Sequence, residues 1–383
     1  MHYQNLDTRL VHAGEPRPRI EGAISMPIFC SANYEYAGET SYHDLKYIRL
    51  NNTPNHQALH QKLAAIEGGE AALVTASGMA AISTTLMTVL GQGDHLLAQN
   101  CLYGGSHSLL CEDLPSFGIV TTMVDANRRE AWKAALTPAT RAFYVESLTN
   151  PLLEVADLEA VVAFCREHGL VSIIDNTFAS PVNFRPLEHG FDLVVHSATK
   201  YLNGHSDIVA GAIIGSADWL DRILHRLNHL GGSLDPHACY LFQRGLKTLG
   251  LRVRRQNDNA LALARALAAH HEVARVNYAG LEGHPDNERA RHLFEGFGGV
   301  LSFELAGDRD AMTYLRRLKI PVIAPSLGGV ETLVTLPART SHAGVPAAER
   351  ERMGISDSLI RVAIGIEDAD ELVADFVSAL GAS

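Results

Sequence analysis

Two short apolar runs near the middle of the chain constrain the fold more than any other feature. Val171-Ser172-Ile173-Ile174-Asp175 ends in a carboxylate, and Leu193-Val194-Val195-His196-Ser197 is followed by Ala198-Thr199-Lys200. Apolar runs of this length, set among helical patterns, read as strands buried on both faces of a parallel sheet. Ligands of such sheets bind beyond the carboxyl ends of the strands, where Asp175 and Lys200 both fall. An amine and a carboxylate facing one pocket suit pyridoxal 5'-phosphate. The lysine forms the Schiff base, and the aspartate pairs with the pyridinium nitrogen and keeps the ring able to draw electrons from a carbanion. On these two residues alone, a turn cap at Asp175 and a solvated loop lysine explain the pattern equally well. The rest of the chain weighs against that.

Residues 1–55 are rich in Pro, Gly, Asn and Tyr and weakly periodic. They read as an extended N-terminal arm that contributes to a neighbouring subunit. Tyr47 and Arg49, two apart in an extended segment, share a face. A helix over His56–Glu67 stops at Gly68-Gly69, and Ala71–Ala76 reads as a strand. The turn Ser77-Gly78-Met79 opens a helix over Ala80–Leu90. A small-residue turn at a helix start is an anion site, so a cofactor phosphate fits at Gly78 and Met79, although many α/β proteins have such a turn with nothing bound. Strands over His95–Gln99, Val120–Val124 and Ala142–Glu146 alternate with helices, the last capped by Asp157 and stopped at Gly169. This alternation gives an α/β domain with a mostly parallel sheet over residues 56–245. From about Leu246 the pattern shifts to a smaller α+β domain, 246–383. Its expected strands are Ala274–Tyr278, Val300–Leu305 and Leu359–Ile364, and its helices Ala260–His270, Asp308–Lys319 and Asp368–Leu380.

The remaining bulk features exclude more than they assign. The formal net charge of -11 is dispersed, which disfavours nucleic acid or an acidic membrane as partner. The five cysteines are scattered without a C-x-x-C pair, which points to reduced thiols in a cytoplasm. Nineteen histidines show no ligand spacing, so no metal is expected. Gly91-Gln92-Gly93 lacks the third glycine of a dinucleotide turn. The first residues carry no signal-peptide pattern, and no apolar stretch is long enough for a bilayer.

The sequence resembles the Cys/Met-metabolism, or trans-sulfuration, family of pyridoxal-phosphate enzymes, which includes cystathionine γ-synthases, cystathionine lyases and methionine γ-lyases. The likeness runs from Asp7-Thr8-Arg9-Leu10-Val11-His12-Ala13-Gly14 to Gly365-Ile366-Glu367-Asp368, and it is most specific in Asp192–Asp207 and in Ser326-Leu327-Gly328-Gly329-Val330-Glu331. The resemblance implies fold type I, as in aspartate aminotransferase, and a homotetramer built as a dimer of dimers. It implies Lys200 as the Schiff-base lysine and Asp175 as the partner of the ring nitrogen. Gly78, Met79, Ser197 and Thr199 would hold the phosphate, with Thr177 also at the cofactor, and Tyr47 and Arg49 would reach the phosphate from the neighbouring subunit. Tyr103 would stack on the ring and move a proton. Arg361 would clamp the α-carboxylate of an L-amino acid substrate bidentately, with Asn150, Ser326 and Glu331 in the substrate site. Without the resemblance, Arg361 reads as a strand-edge arginine and Tyr103 as a packed loop aromatic. The implied chemistry is γ-elimination. Lys200 removes the α-proton, a β-proton follows, and the γ-substituent leaves with a proton from Tyr103. Each transfer needs a pKa near the working pH, so the site must lower those of Lys200 and Tyr103.

Some positions depart from the family pattern. Members that bind cystathionine carry an arginine where Ser108 stands, γ-type lyases carry Glu at Lys46, methionine γ-lyases carry Cys at Gly105, and Leu148 replaces a common proline. The expectation is a γ-elimination lyase for an amino acid whose distal end is neutral or basic, such as a methionine or canavanine analogue, with Glu331 to meet that end. A γ-replacement synthase acting on an acylated homoserine and a non-catalytic cofactor-binding protein remain as alternatives.

Overall fold

The computed structural model describes residues 3–307 and 309–381. Seven strands form the larger sheet: β1 (Ala71–Thr75), β2 (His95–Gln99), β3 (Val120–Val124), β4 (Thr140–Glu146), β5 (Val171–Asp175), β6 (Leu193–Ser197) and β7 (Gly211–Gly215), in the order β1-β7-β6-β5-β4-β2-β3. The strands from β6 through β5, β4 and β2 to β3 are parallel. Helices cover both faces, so β2, β4, β5 and β6 are almost wholly buried and read as continuous apolar runs. β7 has no counterpart in the sequence reading. It pairs antiparallel with both β1 and β6. No helix separates it from β6, and the chain returns through residues 198–210 to run antiparallel beside it.

The second sheet holds β8 (Val273–Asn277), β9 (Val300–Leu305), β10 (Val322–Ile323), β11 (Leu333–Thr335) and β12 (Ile360–Ala363), in the order β10-β11-β12-β9-β8. Its inner face packs Leu301, Phe303, Val334 and Val362 against Leu372 and Phe376 of the helix Ala369–Gly381. The expected helix Ala260–His270 is the end of a longer one, Leu249–Ala268. The expected helix Asp308–Lys319 begins at Asp308, outside the described residues, and continues only as Ala311–Leu315. Among the described residues no helix is long and apolar enough to cross a membrane.

The N-terminal segment is not the extended arm expected throughout, since part of it is helical and packs on its own chain. Leu6–His12 is a helix that buries Leu10 against the helices Pro54–Glu67 and Leu249–Ala268 of the same chain. Arg9 donates to the carbonyls of Tyr3 (2.8 Å) and Ala65 (3.2 Å). Glu15 is buried among Arg19, Lys247 and Lys62, at 2.7, 2.8 and 3.8 Å. Two helical turns with one buried leucine give no legible period. Tyr47 is extended, but Ile48–Leu50 is a 3-10 turn, so the two residues are not on one strand face as expected. Their side chains still meet, with the Arg49 guanidinium carbon 5.6 Å from the Tyr47 ring centre.

Arg252 braces the turn that follows β6. Only 4% exposed, it donates to the carbonyls of Tyr201 (2.8 Å), Gly245 (2.9 Å) and Asn203 (3.4 Å) and to the Thr248 hydroxyl (3.1 Å). Arg252→Leu takes the Arg252 donor from the buried Tyr201 carbonyl, at a cost of about 1–3 kcal/mol, whereas the Gly245 and Asn203 carbonyls keep Thr248 and His205 as partners. The urea midpoint is expected to fall clearly at an unchanged m-value. An unchanged midpoint contradicts the bracing role.

Candidate active site

The site forms where β4, β5 and β6 end together. The parallel register sets Glu146 beside Asp175, and Asp175 beside Val195. Asp175 is 8% exposed. Its Oδ1 accepts from the Thr177 backbone N–H at 2.9 Å and from the Thr177 hydroxyl, which itself accepts from the Ser197 N–H at 2.8 Å. Thr177 therefore ties the ends of β5 and β6 together. Burial raises the Asp175 pKa, and the Thr177 hydrogen bonds work against that rise. Glu146 is raised further, by burial and then by the Asp175 charge. The buried Tyr144 hydroxyl lies toward Asp175 and Ser106 without a well-formed hydrogen bond to either.

An anion cradle adjoins this pair. Ser77 caps the helix Gly78–Val89 by accepting from the Ala80 N–H at 3.0 Å. The first N–H groups of the helix, at Gly78 and Met79, have no intrahelical acceptor. A Cβ on Gly78 would lie 2.7 Å from the Ser197 Cβ, so only glycine lets the helix start approach the end of β6 this closely. Thr199 is less free than expected, since its hydroxyl exchanges hydrogen bonds with the Ala210 N–H and C=O at 3.0 and 3.2 Å. Tyr103 is 43% exposed, and its backbone N–H donates to Glu146 Oε1 at 2.8 Å. A Cβ on Gly105 would lie 2.6 Å from Tyr103 Cε1 and 3.3 Å from Met79 Sδ, which places the Tyr103 ring beside the cradle.

Lys200 and Arg361 meet at Ser326. The Lys200 Nζ donates to the Ser326 hydroxyl at 2.8 Å, and Arg361 donates from Nη2 to the Ser326 carbonyl (2.9 Å) and from Nη1 to Asn150 Oδ1 (3.1 Å). Ser326 makes both contacts from a left-handed backbone, φ 90°, a conformation that a serine holds only where its surroundings enforce it. Burial first, and the neighbouring Arg361 charge second, lower the Lys200 pKa to about 8. The expected lowering is therefore present, with desolvation ahead of the cationic neighbours as its cause. Arg361 is 4% exposed and lowered by burial to about 10, and its Nε is buried without a partner.

The structure thus gathers Gly78, Met79, Tyr103, Asn150, Asp175, Thr177, Ser197, Lys200, Ser326 and Arg361 around one locus. Among the described residues, four expected ones have their hydrogen bonds elsewhere, Thr199 with Ala210 and three more. Glu331 accepts from Ser206. Arg49 donates to the Asn228 carbonyl at 3.0 Å and to Tyr42, and Tyr47 accepts nothing from the locus while its N–H donates to Asn52. Leu148 is buried in the core. The sequence reading passed over Glu146, although Phe143-Tyr144-Val145-Glu146 shows the same apolar run ending in a carboxylate as β5. The arrangement offers an anion cradle, a desolvated amine, a buried carboxylate and an exposed phenol. That donor set fits the phosphate, carbonyl and ring nitrogen of pyridoxal phosphate.

A family model described as Cys/Met metabolism PLP-dependent enzyme matches residues 7–381. The cystathionine gamma-lyase of Bacillus subtilis (strain 168) is 39% identical over 374 residues, covering 97% of this chain and 98% of that protein. The cystathionine beta-lyase MetC of the same organism is 40% identical over 380 residues, covering 99% and 97%. The crystal structure of cystathionine gamma synthase from Xanthomonas oryzae pv. oryzae in complex with cystathionine superposes with a TM-score of 0.95 at 36% identity, covering 99% of this chain and 98% of that one. Relatives named for three different reactions lie at nearly equal distance, so overall likeness does not choose among them.

With a pKa near 8, the Lys200 amine of the cofactor-free protein should react with an acylating reagent with a midpoint near pH 8, because only the neutral amine attacks. Lys62, lowered as far, is fully buried and bonded to the Leu10 carbonyl and should stay unlabelled. A Lys200 midpoint near that of exposed lysines, followed by peptide mass spectrometry, contradicts the assignment.

Proposed function

The chain belongs to the Cys/Met metabolism PLP-dependent enzymes, and from that membership we propose a γ-elimination lyase acting on an L-amino acid with a γ-heteroatom substituent whose distal end is neutral or basic. Its cofactor is pyridoxal phosphate, and its fold is fold type I. When bound, the cofactor supplies an electron sink for carbanions formed beside the amino group.

The chain's own residues then divide the work. Gly78, Met79 and Ser197 hold the phosphate, and Asp175 holds the ring nitrogen. Arg361 takes the substrate α-carboxylate in its planar fork, oriented by Asn150 and the Ser326 carbonyl. Lys200 Nζ, lowered toward neutrality by burial, removes the α-proton and then moves a proton at the β-carbon. Tyr103 delivers the proton that leaves with the γ-group. We place Tyr47 and Arg49 at the phosphate of a neighbouring copy in a homotetramer; in support, Tyr47 is 39% exposed on its own chain. A cytoplasmic location is supported by five free cysteines.

The observation that carries the substrate class is the turn after Tyr103. Gly104–Ser108 ends in a hydroxyl at the place where cystathionine-binding members resemble one another in carrying arginine. The basic residue on that turn, His107, faces Glu349 at 3.6 Å and offers no free cation to a distal carboxylate. We place Glu331, held by Ser206 outside the contacts of the locus, at the far end of the substrate as an acceptor for a neutral or basic group. A γ-replacement synthase uses the same residues up to departure of the γ-group and differs in what adds afterwards. Its support is the run Leu202-Asn203-Gly204-His205-Ser206-Asp207, which also suits synthases.

Keto-acid release from methionine, homocysteine, cystathionine, canavanine and the O-succinyl and O-acetyl homoserines, without added nucleophile, tests the proposal. Rapid release from a non-acylated substrate is expected. Release from the acylated homoserines alone, suppressed by cysteine or sulfide, makes the protein a synthase. Ser108→Arg should raise kcat/KM for cystathionine about tenfold, the effect of roughly one charge-assisted hydrogen bond. No increase contradicts the reading of the distal pocket.

A further inference from the structure

One buried carboxyl at the site has no part in the reaction as derived. Glu146 ends β4 and is 5% exposed. It makes two hydrogen bonds to the segment that leads from β2 to Tyr103. Its backbone N–H donates to Gln99 Oε1 at 3.0 Å, and its own Oε1 accepts the Tyr103 N–H at 2.8 Å. Gln99 is the last residue of β2 and is itself buried. A single residue of β4 therefore holds both ends of the connection from 99 to 103.

The Tyr103 end of that connection needs an acceptor from outside. Tyr103 is the N-cap of the short helix Gly104–Ser108, so its N–H lies ahead of the first helical turn, where no intrahelical carbonyl is in reach. The same turn is pressed against the second domain, since a Cβ on Gly104 would lie 2.0 Å from the Ser341 carbonyl oxygen. The Tyr103 ring lies against Gly105 of its own turn, so the place of the phenol follows the place of the turn. Stability alone does not account for a carboxyl at 146. It is buried directly opposite Asp175 in the β4–β5 register, and both burial and the Asp175 charge oppose its ionisation. An apolar side chain of similar size would avoid that cost but could not take the Tyr103 N–H.

We infer that Glu146 is a positioning residue for Tyr103, holding its backbone N–H so that the phenol stands where the γ-group leaves. This rests on the reading of Tyr103 as the donor of that proton. The test compares Glu146→Leu, which removes the acceptor, with Glu146→Gln, which keeps one. Each holoenzyme is assayed on the substrate that releases keto acid fastest, with rates taken per bound cofactor. Glu146→Leu should lower kcat about tenfold, the scale of one lost hydrogen bond, at a nearly unchanged KM, and Glu146→Gln should recover most of that loss. An unchanged kcat in Glu146→Leu overturns the inference. So does a Gln variant as slow as the Leu variant, or a loss that falls on KM alone. Where Glu146→Leu binds no cofactor, amide hydrogen exchange of the wild-type holoenzyme decides. The Tyr103 amide should exchange slowly, and exchange at the rate of an unprotected amide overturns the inference. Tyr103→Phe separates the two readings. If it keeps full kcat, the assignment of Tyr103 as proton donor fails. If it is slow while Glu146→Leu is not, the inference alone fails.

Discussion

The site depends on two cations held out of water beside one another. Lys200 and Arg361 converge on Ser326, one through its hydroxyl and the other through its carbonyl. Burial is the first cause of the lowered pKa of each. For a guanidinium the lowering leaves the charge intact at neutral pH, so Arg361 stays available to an anion. For an amine the same physics brings the neutral form within reach of the working pH, which a general base requires. One environment thus yields a fixed charge and a movable proton, because the two groups start from different intrinsic affinities.

The fold supplies that environment by joining two sheets at one locus. Lys200 lies just past β6 of the larger sheet, and Arg361 lies on β12 of the smaller one, between Thr335 and Ser302 of the flanking strands. The segment around Ser326 joins β10 to β11 of the second sheet and comes so close to the turn after β6 that a Cβ on Gly328 would lie 2.5 Å from the Tyr201 N. Arg252 secures the other side of the same turn through three backbone carbonyls. The carboxylates Asp175 and Glu146 are set side by side by strand register, Asp175 is held further by Thr177, and Glu146 in turn anchors the backbone of Tyr103. Residues of the candidate site from distant parts of the sequence are held on strands or just past their ends.

Much of this was legible in the sequence, and the limits are physical. β2, β3, β5, β6 and β9 match the expected runs residue for residue; for β2, β5, β6 and β9 the reason is that buried strands are apolar and turn residues bound them, and for the edge strand β3 it is the β-branched run Val120-Thr121-Thr122. Lys200 and Asp175 are marked in the sequence by their positions at the ends of two apolar runs. β7 was missed because Gly211-Ala212-Ile213-Ile214-Gly215 has small residues and no preceding helix to announce it. Leu6–His12 was missed because its stability comes from Leu10, Arg9 and Glu15 meeting residues far along the chain. The Lys200–Ser326 and His196–Glu67 contacts span 126 and 129 residues, and no local pattern encodes such a meeting. The expected approach of Tyr47 and Arg49 to a phosphate needs a second copy of the chain, which a single-chain structure does not contain.

The claim at the centre of this account is that the desolvated amine of Lys200 carries the cofactor. Borohydride reduction of the protein incubated with pyridoxal phosphate, followed by peptide mapping, addresses it directly. The account predicts a single cofactor adduct on the peptide containing Lys200, and none in Lys200→Ala. An adduct on another lysine, or an undiminished adduct in Lys200→Ala, would contradict it.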